Sequence, residues 1–575
     1  MSLKKWLTGA SALALTTLPG LAMAASYAPH ISSMTVTPVT TVNLAALAKS
    51  AANARALAHS SPFQLQPLRY PTADGRPRAV HPVAGQIPNT RILALGQANT
   101  AGVTVTGFNG SYDGQLPAVL NGEELEPPDQ GLAAARNVVV EDVNNVLQIF
   151  QSNGTALTGA ISNFALFGVN FNSGFLSDPH VEFDPDTQRW FIEELVQTNS
   201  GFNGFALAVS QTSNPLGSYY VYMIDDQGAN ISGCNGSCLP DYPQPGYDKN
   251  AFYIDADLFS NTTGQFVDAG LYALPKAALI AGQSFTYDYY IVPEFVLEPA
   301  IPARPNDFAT ANSGTEYFET AQNILYGTNT LGVYALIDTA SIGSTTPPPL
   351  LSTTVTPEAY TGTVPATEPN DVGPYGQSLG ATTSPQLDGG YNAVSGGVKL
   401  YRKGLFAALA TATTDAKGLP VDEIAWFKVH VSATSSAVTA GMGVQGYIMP
   451  PSGYSLLYPT VALGMNGRGA IGCTVVGLNG NNPGGYPSTG IVMFKGGHHA
   501  GGTLMVTGQG NASDDGFTGY LGAGPAGVGR WGDYGSATID PVTGYAYLAN
   551  EYIPNASVYP RGTYANWGTF VTQVK

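Results

Sequence analysis

At 575 residues the chain carries 40 acidic and 23 basic side chains, a formal charge of −17. Only 11% of its residues are charged, while Gly and Tyr are abundant at 69 and 31. So few cations argue against nucleic acid or an anionic membrane as partner, because counterion release needs clustered Lys and Arg.

In chain order, residues 1–24 read as a secretory signal. Lys4 and Lys5 precede an apolar run from Ala10 to Leu21, and Ala22-Met23-Ala24 offers small residues for cleavage. That run is shorter than the roughly 20 residues that span a bilayer, and no later run reaches the length. A secreted or periplasmic chain with no integral membrane segment is expected. Residues 25–95, rich in Ala, Pro, Ser and Thr, show no β alternation and read as an irregular extension or linker. A short helix is expected within it, from Val42 to His59. From 96 to 575 the texture changes to short strands broken by Gly, Asn, Asp and Pro turns, which predicts an all-β domain.

Within that domain a hairpin recurs. "HVEFDPDTQRWFIEEL" (180–195), "PGYDKNAFYIDADLF" (245–259) and "ATIDPVTGYAYLANEY" (537–552) each join two strands across an Asp-containing turn. Asn137, Asp184, Asp248, Thr315, Arg402, Asn466 and Asp540 mark seven such turn positions, and most copies are followed by further strand pairs. Four antiparallel strands repeated radially is the plan of a single β-propeller. Seven blades are expected, or six if the weak copy at Asn137 is discounted. The widest spacing, before Arg402, is assigned to a Pro/Thr-rich insertion at 344–376. Terminal "WGTFVTQVK" and early "GVTVTGF" suit each other for ring closure, since an unclosed ring leaves strand edges open.

The stretches "PPDQGLAAARNVVVEDVNNVLQIFQSNGTAL", "DPHVEFDPDTQRW", "SQTSNPLGSYY" and "RWGDYGSATIDPVTG" resemble secreted bacterial propeller proteins of sialidase/BNR-repeat texture, over roughly residues 100–575. The resemblance implies a fold and no particular reaction, since propellers host hydrolases, lyases, lectins and scaffolds. A sialidase needs an arginine triad, and Arg189, Arg304, Arg402 and Arg530 sit at unlike places in their units. "ASDDGFTGY" (512–520) is a near miss of the Asp-box, itself a structural turn.

Before the hairpins, at the expected start of each innermost strand, acidic residues or Tyr-Pro pairs recur. They are Asp178, Asp241 with Tyr242, Asp388 with Tyr391, Tyr458, and the run Trp531-Gly532-Asp533-Tyr534. Gathered around one axis, they would ring a channel mouth with carboxylates and phenols. Such a ring could hold calcium through oxygen ligands, or supply the paired carboxylates of glycoside chemistry. His180 falls beside Asp178 as a further ligand candidate. The plainer role of an Asp beside Pro or Gly is to accept bonds from its own turn, and this is the role expected of Asp540. His498 and His499 are adjacent, so on a strand they point to opposite faces and make poor co-ligands. Cys234 and Cys238 in "CNGSC" suit a local disulfide in an oxidising compartment, and Cys473 reads as a small buried residue. No phosphate loop, nucleophile elbow or zinc-protease helix is present. The reading favoured at this level is a monomeric secreted propeller that binds a glycan or polypeptide, with calcium as a possible ligand. The alternative is an extracellular polysaccharide hydrolase or lyase working at the mouth.

Overall fold

The computed structural model describes residues 25–51 except 29 and 33, residues 90–92 and 95–96, and residues 103–575 with short gaps. The gaps are 227–230, 235–237, 305–306, 323–326, 395, 465–466, 468, 496–498, 501–502 and 522–526. The expected signal at 1–24, the second half of the expected helix, Asn466 and His498 therefore lie outside the described residues.

Most of the described chain is β-strand, as expected of an all-β protein. Strands follow one another in antiparallel groups. The groups begin at Gly131–Ala135, Gly174–Asp184, Cys238–Tyr247, Glu298–Pro302, Val398–Tyr401, Tyr454–Leu463 and Ser536–Ile539. The fourth and fifth groups merge into one ten-stranded sheet, because Ala300–Pro302 pairs in parallel with Val398–Leu400. Turn residues join the strands as the sequence suggests: Asn137 and Arg402 hold left-handed φ of 64 and 49, and Asp540 caps its own turn. Thr315 is the exception. It opens the strand Thr315–Ala321, and the turn assigned to it is a long connection over 303–314.

Asn203–Ser210, Ala251–Ser260 and Gly469–Gly477 are buried along their whole length. Such strands need apolar cover on both faces, and the neighbouring groups provide it. Val140 and Ile149 of the first group pack on Val181 and Ile192 of the second, and Phe191 and Leu207 on Phe252 and Tyr272 of the third. Leu271 meets Phe318 and Leu336 of the fourth, and Val333 meets Leu409 and Phe427 of the fifth. Phe406 and Trp426 pack on Ile471 and Val492 of the sixth, then Ile491 and Met505 on Leu548 and Val574 of the seventh. Tyr547 and Val571 return to Val139 and Phe150 of the first. The first strands touch in the same cyclic order. This is a β-propeller fold, held by its inter-sheet cores, where each fully buried Leu, Ile or Phe contributes about 1.5–3 kcal/mol.

The N-terminal segment corrects the expected irregular extension. Strands β1 (Ala25–Tyr27), β2 (His30–Ile31) and β3 (Pro38–Asn43) lie on the outer edges of the fourth, third and second groups in turn. Helix α1 (Leu44–Ala51) tucks Leu44 into the core between the first and second groups. Then β4 (Thr90–Ile92), β5 (Leu95–Gly96) and β6 (Val105–Tyr112) edge the fifth, sixth and seventh. The segment is thus a belt that covers open strand edges. These strands borrow hydrogen bonds from sheets already built and most are too short to show alternation, so composition alone read them as coil. β6 pairs with Gly568–Val574, the two segments that the sequence suggested as partners. The insertion at 344–376 is also corrected in part, because Leu350–Val355 is the fourth strand of its sheet. No helix among the described residues is long and apolar enough to cross a membrane.

Candidate functional site

In three first strands the ladder is interrupted at a proline: Pro179, Pro243 and Pro459. Proline has no N–H for the ladder, and at each one the register slips, between Ser177 and His180, Asp241 and Gln244, and Leu457 and Thr460. The residue before each proline takes left-handed backbone, with φ of 59 at Asp178, 57 at Tyr242 and 48 at Tyr458. That conformation is disfavoured before proline and costs of order 1–3 kcal/mol. Bulges of this kind re-aim side chains. Asp129, at φ 43 just before the first group, completes the set.

The re-aimed groups meet. Tyr242 donates its backbone N–H to Asp178 Oδ2 at 3.1 Å and its hydroxyl to the Asp533 carbonyl at 2.9 Å. The Asp533 N–H donates to Asp129 Oδ1 at 2.8 Å, and Asn144 Nδ2 donates to Asp129 Oδ2, also at 2.8 Å. Asn144 Oδ1 in turn accepts from the Asp178 N–H at 2.9 Å. Arg530 forms an ion pair with Asp533. Four strand groups are tied together here by one polar network.

Electrostatics separates the acids. Burial and the neighbouring Asp241 push Asp178 up to about 7. Burial also raises Asp533, but the Arg530 guanidinium pulls it back, leaving it at about 6. Asp129 is held well above the ordinary carboxylate range by burial and by Asp533 and Asp178. Tyr458, raised by burial and by Asp388, has a buried hydroxyl with no hydrogen-bond partner among the described residues.

The sequence candidates do not all belong to this network. Asp178, Tyr242 and Asp533 form its centre, and buried Asp241 adjoins Asp178. Asp388 reaches the cluster electrostatically from the loop after Leu350–Val355 and not from a first strand; its Oδ1 accepts from Gly390 N–H at 3.1 Å. Tyr391, on the same loop, packs its ring on Phe295. Trp531 is a core residue: it is 1% exposed, and its indole donates to Thr474 Oγ1 at 3.1 Å. Tyr534 is buried below the acids, where His180 stacks on it at 4.5 Å and Tyr242 meets it edge-on at 5.6 Å. Burial lowers the His180 imidazole to about 3, leaving it neutral. Cys234 and Cys238 form the expected disulfide, and Cys473 is buried and free.

Sequence reasoning missed Asp129, Arg530 as a partner, and the residues beneath the mouth. His180, Glu182, Gln244, Glu298, Lys399 and Ser536 line a small, partly open cavity there. The signal was the period of two along the first strand, which sets Glu182 on the same side as His180. Among the described residues, no group of three or more His, Cys, Asp or Glu side chains has the arrangement to hold a metal ion.

No family model matches the chain, and no curated protein matches it. Among solved structures, it is similar to an exo-β-1,3-galactanase from Clostridium thermocellum, at 13% identity and a TM-score of 0.27, covering 71% of this chain and 87% of that one. The phage phi92 endosialidase is 9% identical at a TM-score of 0.29, covering 82% and 69%. An α-L-arabinanase of Cellvibrio cellulosa, complexed with arabinohexaose, is 7% identical at 0.28, covering 66% and 96%. Superpositions this loose carry no argument about activity.

Proposed function

We propose that the chain is one seven-bladed propeller that hydrolyses an extracellular polysaccharide at the mouth formed by Asp178, Asp533, Arg530, Tyr242 and Asp129. The cyclic order of inter-sheet cores supports the blade count. The observation that carries the chemistry is Arg530, which sits on Asp533 and leaves Asp178 with the higher proton affinity. Two coupled carboxyls held apart in this way are matched to acid and base roles. Asp178 gives its proton to the glycosidic oxygen as the bond to the anomeric carbon breaks. Asp533, ionised, takes a proton from the water that attacks that carbon. Two hydroxyls are formed, one water is consumed, and solvent returns the proton from Asp533 to Asp178.

The test is release of reducing ends from a panel of neutral and acidic polysaccharides. Activity on one class, lost in both Asp178→Asn and Asp533→Asn, supports the reading; turnover that survives in either variant defeats it.

A second reading has its own support. Asp178 and Asp388 each accept a backbone N–H, the bond expected of a structural turn. On that reading the mouth binds a glycan or polypeptide without turnover, with calcium on its carboxylates. Glycan binding without product, together with a melting midpoint that rises in calcium and falls in chelator, favours it.

A further inference from the structure

We propose that the cavity beneath the mouth is a separate binding site for a small oxyanion, of the size of inorganic phosphate or a short monocarboxylate, seated on the Lys399 ammonium. Lys399 is only 6% exposed, yet among the described residues no carboxylate lies within salt-bridge distance of it. Gly397, at φ 97, makes its room: a Cβ there would stand 2.7 Å from the ammonium nitrogen. Three buried polar atoms of the lining have no hydrogen-bond partner among the described residues: Gln244 Nε2, Glu298 Oε2 and His180 Nε2. Gln244 and Glu298 are 1% and 2% exposed. Buried orphans of this kind cost about 1–3 kcal/mol each, so a polar guest that satisfies them is favoured.

Charge selects the guest. The Lys399 ammonium and the Gln244 amide nitrogen only donate, which suits an acceptor-rich anion. Burial, opposed by Lys399, raises Glu182 to about 7 and Glu298 to about 8, so in mildly acidic solution both hold protons and can donate as well. His180 on the same strand as Glu182 stays neutral. Lower in the channel, Tyr247 and Arg304 line a second cavity that shares Glu182 and Lys399. As pH rises, Glu182 and Glu298 ionise, neutralise Lys399 and repel the anion.

The experiment is thermal unfolding and calorimetric titration of the full chain with sodium acetate and with sodium phosphate, at fixed ionic strength. At about pH 5.5 at least one probe should raise the midpoint saturably. Above about pH 8 its affinity should fall roughly tenfold for each proton lost per pH unit. Lys399→Met should abolish the response, and Glu298→Gln, which cannot ionise, should weaken the pH dependence. An unmoved midpoint, or an equal response in Lys399→Met, overturns the site. If Lys399→Met does not fold, Glu298→Gln decides, and an unchanged pH dependence overturns the proposal. Asp533→Asn should keep the anion response, so failure of the hydrolase reading leaves this site standing.

Discussion

At the turn end of the last strand group, Asp540 is completely buried and fully engaged with backbone. Its Oδ1 accepts from the N–H groups of Val542 and Thr543, and its Oδ2 accepts from Asn137 of the first group. At the opposite end of the same short strand, Asp533 is partly exposed, pairs with Arg530 and feels Asp178 and Asp388. The residue type and the neighbourhood in sequence are alike, yet one carboxylate fastens two strand groups and the other faces the acids of the mouth. The difference lies in what each faces. A hairpin turn offers a surplus of backbone donors, whereas the mouth offers mostly other acids, phenols and one cation.

Substitution at the two positions should separate these roles. Asp533→Asn keeps the shape and removes the charge. Polysaccharide hydrolysis should fall by about 10²–10⁴ while the melting midpoint moves by only a few degrees. A variant that hydrolyses normally would break the contrast. Asp540→Ala should do the reverse, costing roughly 1–3 kcal/mol in denaturant unfolding as its donors lose their acceptor. The specific activity of the folded protein should be unchanged.

The turn end was legible because its signal is local: Asp184, Asp248 and Asp540 announce themselves by the Pro, Gly or Asn that follows. The mouth was legible in part for the same reason, since the Asp-Pro and Tyr-Pro steps that force the bulges can be quoted from the chain. The rest depends on long-range geometry. Asp129 lies some 400 positions from Asp533 along the chain, and only the packing of the first strand group beside the last brings them within 2.8 Å. That Trp531 packs in the core is not local either, because the polarity of its sequence neighbours says nothing about which way its side chain turns. The belt was misread because β1 to β5 are strands only by virtue of the edges they cover.

Within the mouth the comparison can be drawn more finely between two phenols. Tyr534 donates its hydroxyl to the Pro179 carbonyl at 3.2 Å, while the Tyr458 hydroxyl is buried without a partner among the described residues. Tyr534→Phe should therefore lose about 1 kcal/mol, and Tyr458→Phe should be neutral or gain up to about 1 kcal/mol. If Tyr458 is kept for its position over the acids, the same change lowers turnover despite the gain in stability. Equal losses of stability in the two variants would show that Tyr458 is satisfied in solution and is no more specialised than Tyr534.

The gentlest effect concerns protons spread through the whole body. Burial raises Asp142, Glu319 and Glu423 each to about 8 and Asp178 to about 7. In the unfolded chain such groups release their protons near pH 4. Between those limits the folded state binds more protons, so stability is fully present in mild acid and declines as pH rises from about 4 to about 8. His180, lowered by burial to about 3, acts in the opposite sense and removes stability as pH falls below about 6.5. The acids outnumber it, so the midpoint should peak in mild acid and fall gradually toward pH 8. Glu319 isolates the cause, because it is fully buried and neither of its carboxyl oxygens has a partner among the described residues. Glu319→Gln cannot ionise and should flatten the alkaline side of the curve. A midpoint that rises with pH, or a Glu319→Gln profile parallel to the parent's, would mean that these carboxyls are ionised in the fold.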